Sequence, residues 1–180
     1  MRLPRTLSVA LGLALVAIPA AAAIKAMTLA ELMDITTDTV HGTILEKSSF
    51  RMDWPFEGAV YTQLTIQGES LRTQAPVTTQ VVFLGSHDPA DHYGTSEMPT
   101  LQDTRIGSQA VVFFKRDLEM PGQLNRVYDL SGVYRVEKAF GTPVVIGKGE
   151  GFAFPENIKL SEARTQVRAT HVALEAAKTK

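Results

Sequence analysis

From Val60 to Gln67 the chain alternates without a break. Val60, Thr62, Leu64 and Ile66 fall on one side, and Tyr61, Gln63, Thr65 and Gln67 on the other. A period of two is the signature of a strand with two unlike faces and does not fit a helix. Two further segments are strands of another kind. Val77–Leu84, ending Val81-Val82-Phe83-Leu84, and Gln109–Phe114 close on continuous apolar runs, which suits strands covered on both faces. Val40–Lys47, Arg126–Leu130, Val133–Val136 and Val144–Ile146 supply shorter candidates, the last three separated by Ser131-Gly132 and other turn formers.

Helical signals are confined to the two ends of this array. Thr28-Leu29-Ala30-Glu31 has the form of a capping box, with Leu29, Leu32 and Met33 on one side of the short helix that follows. Near the other end, residues 161–178 form a longer helix. Ser161 is its expected N-cap, Glu162 sits at the positive helix end, and Val167, His171 and Leu174 share a face suited to docking. Six or seven short strands flanked only by terminal helices predict an all-β domain, a small OB-like barrel or a sandwich, over residues 24–180. Alternation alone does not separate barrel from sandwich.

Residues 1–23 read as a secretory signal peptide. Arg2 and Arg5 form a basic head, Thr6 to Ile18 is a short apolar run, and Pro19 precedes four alanines. The run is shorter than the roughly 20 residues a membrane span needs, so a Sec-type exported chain, periplasmic or secreted, is expected. Cleavage removes two arginines and leaves 16 basic against 19 acidic residues, a net charge of −3. This mixed surface gives no case for nucleic acid, which calls for a basic stripe. Cysteine is absent, so disulfides, a lipoprotein anchor and a thiol nucleophile are all excluded, and stability must come from apolar packing.

The order of several short motifs resembles a group of uncharacterised exported bacterial proteins. The motifs are Thr37-Asp38-Thr39-Val40-His41-Gly42, Tyr61-Thr62, Ile106-Gly107 through Phe114, and Gly132-Val133-Tyr134-Arg135-Val136. They cover residues 27–147, and the resemblance implies a small β domain behind a signal peptide with no activity to transfer. The strand order is also similar to OB-like and netrin-like barrels, the latter found in metalloproteinase inhibitors. Those inhibitors use an N-terminal cysteine on the metal, which this chain lacks, so a protease-inhibitor-like module stands as a fold analogy only.

Chemistry-bearing residues concentrate in the long polar loop after Leu84. His87, Asp88, Asp91 and His92 offer nitrogen and oxygen donors for a divalent metal, the one cofactor the sequence suggests. A metal-binding protein or a metal-dependent hydrolase is therefore one expectation. No Gly-x-Ser-x-Gly elbow is present, and no catalytic residue is assigned. Gly147-Lys148-Gly149-Glu150-Gly151 lacks the Ser/Thr and helix of a phosphate loop and reads as a turn. The other expectation is a non-enzymatic domain that binds a protein, peptide or glycan through its loops. Trp54, Phe56 and Tyr93 are its anchors, because loop aromatics are frequent interface hot spots.

Overall fold

The architecture comes from a computed structural model that describes residues 26–128 and 130–179; residues 1–23, expected to be a signal peptide, lie outside the described residues. In chain order the elements are α1 (Leu29–Ile35), β1 (Asp38–Met52), β2 (Ala59–Ser70), β3 (Pro76–Leu84), β4 (Gln109–Arg116), β5 (Asn125–Val127), β6 (Val133–Ala139), β7 (Thr142–Val145), β8 (Ile158–Lys159) and α2 (Leu160–Lys178). One-turn 3₁₀ helices stand at Pro89–Asp91 and Leu130–Gly132.

Five strands close into a barrel. β1, β2 and β3 form an antiparallel meander, β3 meets β5 in a short parallel contact, β5 pairs with β4, and β4 returns to β1. Closure leaves these strands few free edges, which resolves barrel against sandwich in favour of the small barrel. β6 pairs with the first half of β4, leaves the barrel, and carries β7 and β8 outward as a lateral extension. The turn between β6 and β7 is made by Phe140 and Gly141, both at positive φ. The two arms of this hairpin fall at the strands expected over Val133–Val136 and Val144–Ile146, while its turn carries no Asn-Gly or Asp-Gly signal.

Alternation explains the interior. Val40, Ile44, Leu64, Ile66, Val81, Phe83, Ala110, Val112, Phe114 and Val127 point inward and form one cluster. The intervening residues of β4, Val111 and Phe113, point outward into a second cluster with Tyr134, Val136, Phe154 and the helices. A strand covered on both faces must be apolar at every position, as the 109–114 run indicated. Val82 does the same for β3, turning outward toward Ala59, Tyr61 and Met120 in a third cluster.

The helices lie on the outer face of this wall. The Thr28 capping box is complete: the Glu31 amide donates to Thr28 Oγ1 at 3.4 Å, and Glu31 Oε2 accepts from the Thr28 amide at 2.8 Å. Leu32 and Met33 are buried by it. In α2, Val167 is buried and Leu174 packs on the same cluster. Ser161 is not the cap. The helix begins one residue earlier, at Leu160, with Lys159 as an N-cap that makes no side-chain hydrogen bond. Burial of the Leu160 side chain sets the entry point of the chain here, overriding the preference of a serine for the cap. β1 also runs five residues past its expected end at Lys47, because pairing with β2 continues to Met52↔Ala59 despite the polar run Lys47-Ser48-Ser49.

Candidate functional site

The β1–β2 hairpin projects from the barrel, and its tip carries Trp54 and Phe56. Tyr61, across the hairpin, stacks on Phe50 with ring centroids 5.8 Å apart and donates its hydroxyl to the Trp54 carbonyl at 2.9 Å. Burial raises the Tyr61 phenol above its ordinary range, so it stays a neutral donor. The Arg126 guanidinium of β5 lies over the Trp54 ring, 5.8 Å from its centroid. Asp117, buried at the end of β4, holds that guanidinium at 3.3 Å. Trp54 is thereby fixed from both sides: its backbone by Tyr61 and its ring by Arg126, in an arrangement favourable for a cation over indole.

The loop between β3 and β4 folds back onto the same tip. The Gly85 carbonyl accepts from Thr62 Oγ1 at 2.7 Å, and the Ser86 amide donates to the Tyr93 carbonyl at 3.0 Å, which closes the segment into a compact turn. Arg51 of the hairpin donates to the Asp91 carbonyl at 3.2 Å. These bonds bring Tyr93 against Phe56, with ring centroids 6.2 Å apart and tilted by 37°. Two aromatic residues 37 positions apart in sequence thus form one surface. Phe56 remains 47% exposed. On the neighbouring β4–β5 connection Leu118 is 69% exposed, while Met120 of the same connection packs beneath, in the cluster that includes Trp54.

The four residues expected to hold a metal are not brought together. His87 Nε2 lies 2.8 Å from the Pro99 carbonyl. Asp88 caps the 3₁₀ turn, accepting from the Ala90 amide at 2.9 Å. The nearby Ser86 and Ser49 hydroxyls, and then the charge of Arg51, hold the Asp91 carboxyl below its usual range. His92 is the exposed residue that ends the turn in the left-handed conformation. Asp88 thus spends its carboxyl on shaping the loop, as Asx residues commonly do, while Asp91 Oδ2 is buried without a hydrogen-bond partner. Among the described residues no three His, Cys, Asp or Glu side chains are grouped to hold a metal ion.

A polar cleft of about 400 Å³ opens where α2 crosses the β1–β2 hairpin. Arg164 of α2 bonds Glu69 at 2.7 Å and His41 Nδ1 at 3.2 Å. A guanidinium only donates, so His41 Nδ1 accepts and the imidazole is neutral. Burial, followed by the charge of Arg164, lowers the His41 pKa, against the opposing influence of Gln109 and Glu69. The cluster anchors α2 to the barrel and has a pH signature. The unfolded chain takes up the His41 proton first, near its ordinary value of 6.5, so stability is full above that pH and declines as pH falls through it. Urea midpoints at pH 7.5 and 5.5 are expected to differ more for the native chain than for His41→Asn, whose Oδ1 keeps the acceptor without titrating. Equal differences in the two proteins would contradict this assignment.

No family model, curated protein or solved structure matches the chain. Sequence reasoning singled out Trp54, Phe56 and Tyr93 but missed Arg51, Tyr61, Asp117 and Arg126, which hold the surface. Nothing local in the sequence ties Arg126 to Trp54, because their proximity is set by barrel closure through β5. Among the described residues no helix is long and apolar enough to cross a membrane.

Proposed function

We propose that the chain is a non-enzymatic binding module that docks a protein or peptide segment on the Phe56–Tyr93 surface. The observation that carries this reading is the pairing of Phe56 and Tyr93 from separate loops while Phe56 stays half exposed. A large apolar ring kept in water by a braced scaffold has the character of an interface anchor. OB-like barrels also bind ligands on strands 2–3 and the loops joining strands 1–2 and 4–5; the β1–β2 tip that carries Phe56 matches the first of these loops by analogy of position, whereas Tyr93 stands on the β3–β4 loop. Arg126 already occupies one face of the Trp54 ring, which leaves Phe56 as the exposed ring of this surface.

A random peptide display library selected on the purified chain tests the reading. Enriched peptides are expected to carry apolar or aromatic side chains and to lose about 30-fold in affinity against Phe56→Ala, the scale of a 2 kcal/mol hot spot. Phe56 supports little of the core, so the variant should melt as the native chain does. Failure to enrich any peptide, or peptides that bind Phe56→Ala equally well, would refute the proposal.

A further inference from the structure

The barrel wall is open along part of β3. This strand pairs with β2 over its whole length, but on its other side β5 meets it at one position, Val82↔Arg126. The register fixes which backbone groups are left over. At one end of the β2–β3 ladder the Gly85 amide donates to the Val60 carbonyl, and at the other the Ser70 amide donates to the Ala75 carbonyl. Bonded and non-bonded pairs alternate in an antiparallel ladder. Between those ends, therefore, Val77, Thr79 and Val81 bond β2, whereas Thr78, Gln80 and Val82 turn their amides and carbonyls away from it. Val82 meets β5 there, and the Gln80 carbonyl accepts from Asn125 Nδ2 at 3.1 Å. The Thr78 amide and carbonyl and the Gln80 amide have no partner among the described residues, and both residues are exposed.

An open edge is a template for another strand, and folded proteins usually blunt it with charged side chains. β3 contains no charged residue. Its open part borders a groove of about 480 Å³, with Thr78, Thr79 and Gln80 facing Arg116, Gln123 and Asn125 of the β4–β5 hairpin. Backbone donors and an acceptor in a row are complementary to an extended chain. The Arg116 guanidinium donates to Gln123 Oε1 at 3.4 Å and joins no ion pair among the described residues, so a carboxylate is its complement on the incoming segment.

We propose that the β3 edge binds an extended peptide segment of a partner protein by strand addition, its backbone pairing with Thr78 and Gln80 and an acidic side chain meeting Arg116. Main-chain bonds supply the affinity in this mode of recognition. The groove borders the first part of β3, whereas Tyr93 belongs to the loop after its last residue. The edge and the Phe56–Tyr93 surface thus stand or fall separately.

The test titrates the synthetic peptide acetyl-Val-Thr-Glu-Thr-Val-amide into the purified, ¹⁵N-labelled chain. Exchange of the Thr78 and Gln80 amides with water is expected to slow by about tenfold once free peptide reaches about ten times its Kd. Alternate amides of an added strand face β3. Of two forms N-methylated at odd or at even positions, one should therefore bind as the parent does and the other not at all. Thr78→Pro should abolish binding while keeping the fold, because proline is tolerated where an edge amide points away from its sheet. Replacing the peptide's Glu by Gln should cost about threefold, the scale of an exposed ion pair, and that difference should vanish in Arg116→Gln. Unchanged exchange at Thr78 and Gln80, equal binding of both N-methylated forms, or binding retained by Thr78→Pro would overturn the proposal. So would a dimer in sedimentation that Thr78→Pro dissolves, since the edge would then belong to a second copy.

Discussion

Replacing Phe154 with alanine is expected to destabilise the chain by about 3–5 kcal/mol, the range for deleting a buried phenylalanine. Phe154 is fully buried and lies outside every strand, in the connection that leads from β7 back to β8. Its ring meets Tyr134 edge-on with centroids 5.0 Å apart, and Phe113 at 6.2 Å. It joins the outer wall of the barrel to α2, because the same cluster contains Leu160, Ala163 and Val167. The backbone around it is fixed as well. The Ala153 amide donates to the Tyr134 hydroxyl at 3.1 Å, and the Lys148 amide donates to the Phe154 carbonyl at 3.0 Å. Burial pushes the Tyr134 phenol up to about 12, so it stays protonated at any working pH. With the surrounding groups held this firmly, the site has little freedom to collapse into the vacated volume, and the cost belongs at the upper end of the range. Urea denaturation of native and variant chains measures it. A loss below about 1.5 kcal/mol would show that the cluster relaxes around a smaller residue.

Gly68→Ala is expected to be nearly as damaging, for a different reason. Gly68 of β2 pairs directly with Gly42 of β1. A Cβ on Gly68 would be forced against the His41 carbonyl oxygen and the Gly42 Cα. Both are backbone atoms of the neighbouring strand, which cannot rotate away as a side chain does. Relief requires β1 and β2 to separate at the place where β1 also pairs with β4, so a loss of about 3 kcal/mol, the top of the usual overpacking range, is expected. Gly58 provides the comparison. It has positive φ at the hairpin tip, with nothing within 4 Å of an added Cβ, so Gly58→Ala should cost only the strain of that conformation, about 1 kcal/mol. Thermal denaturation of the two variants side by side separates steric contact from backbone strain. Similar losses in both would contradict the packing argument at Gly68.

What the sequence revealed of this fold was its local part. The alternation of Val60–Gln67, the doubly covered run Gln109–Phe114 and the Thr28–Glu31 capping box are each decided by residues within one element. They survived intact. Ser161 misled because a good capping residue stood one position inside a helix whose start is set by the buried Leu160. The 3₁₀ turn at Pro89–Asp91 gave the His87–His92 segment its dense polar composition, and that composition serves loop geometry. Lys148 looked like part of a glycine-rich turn, and it does lie in one. Its ammonium nevertheless reaches Asp103, 45 residues earlier, and no periodicity records such a contact. The Phe56–Tyr93 pair was half legible: the residue types marked the anchors, whereas their contact depends on how the 85–93 segment folds over the hairpin.

The most direct test of the account is a double-mutant cycle on peptide binding with Phe56→Ala, Tyr93→Ala and the combined variant, using display-selected peptides. If the two rings form one anchoring surface, either single change should remove most of the affinity and the double change little more, giving a coupling of about 1 kcal/mol or greater. Losses that simply add, or full binding retained after either change, would show that the paired rings are not the docking surface.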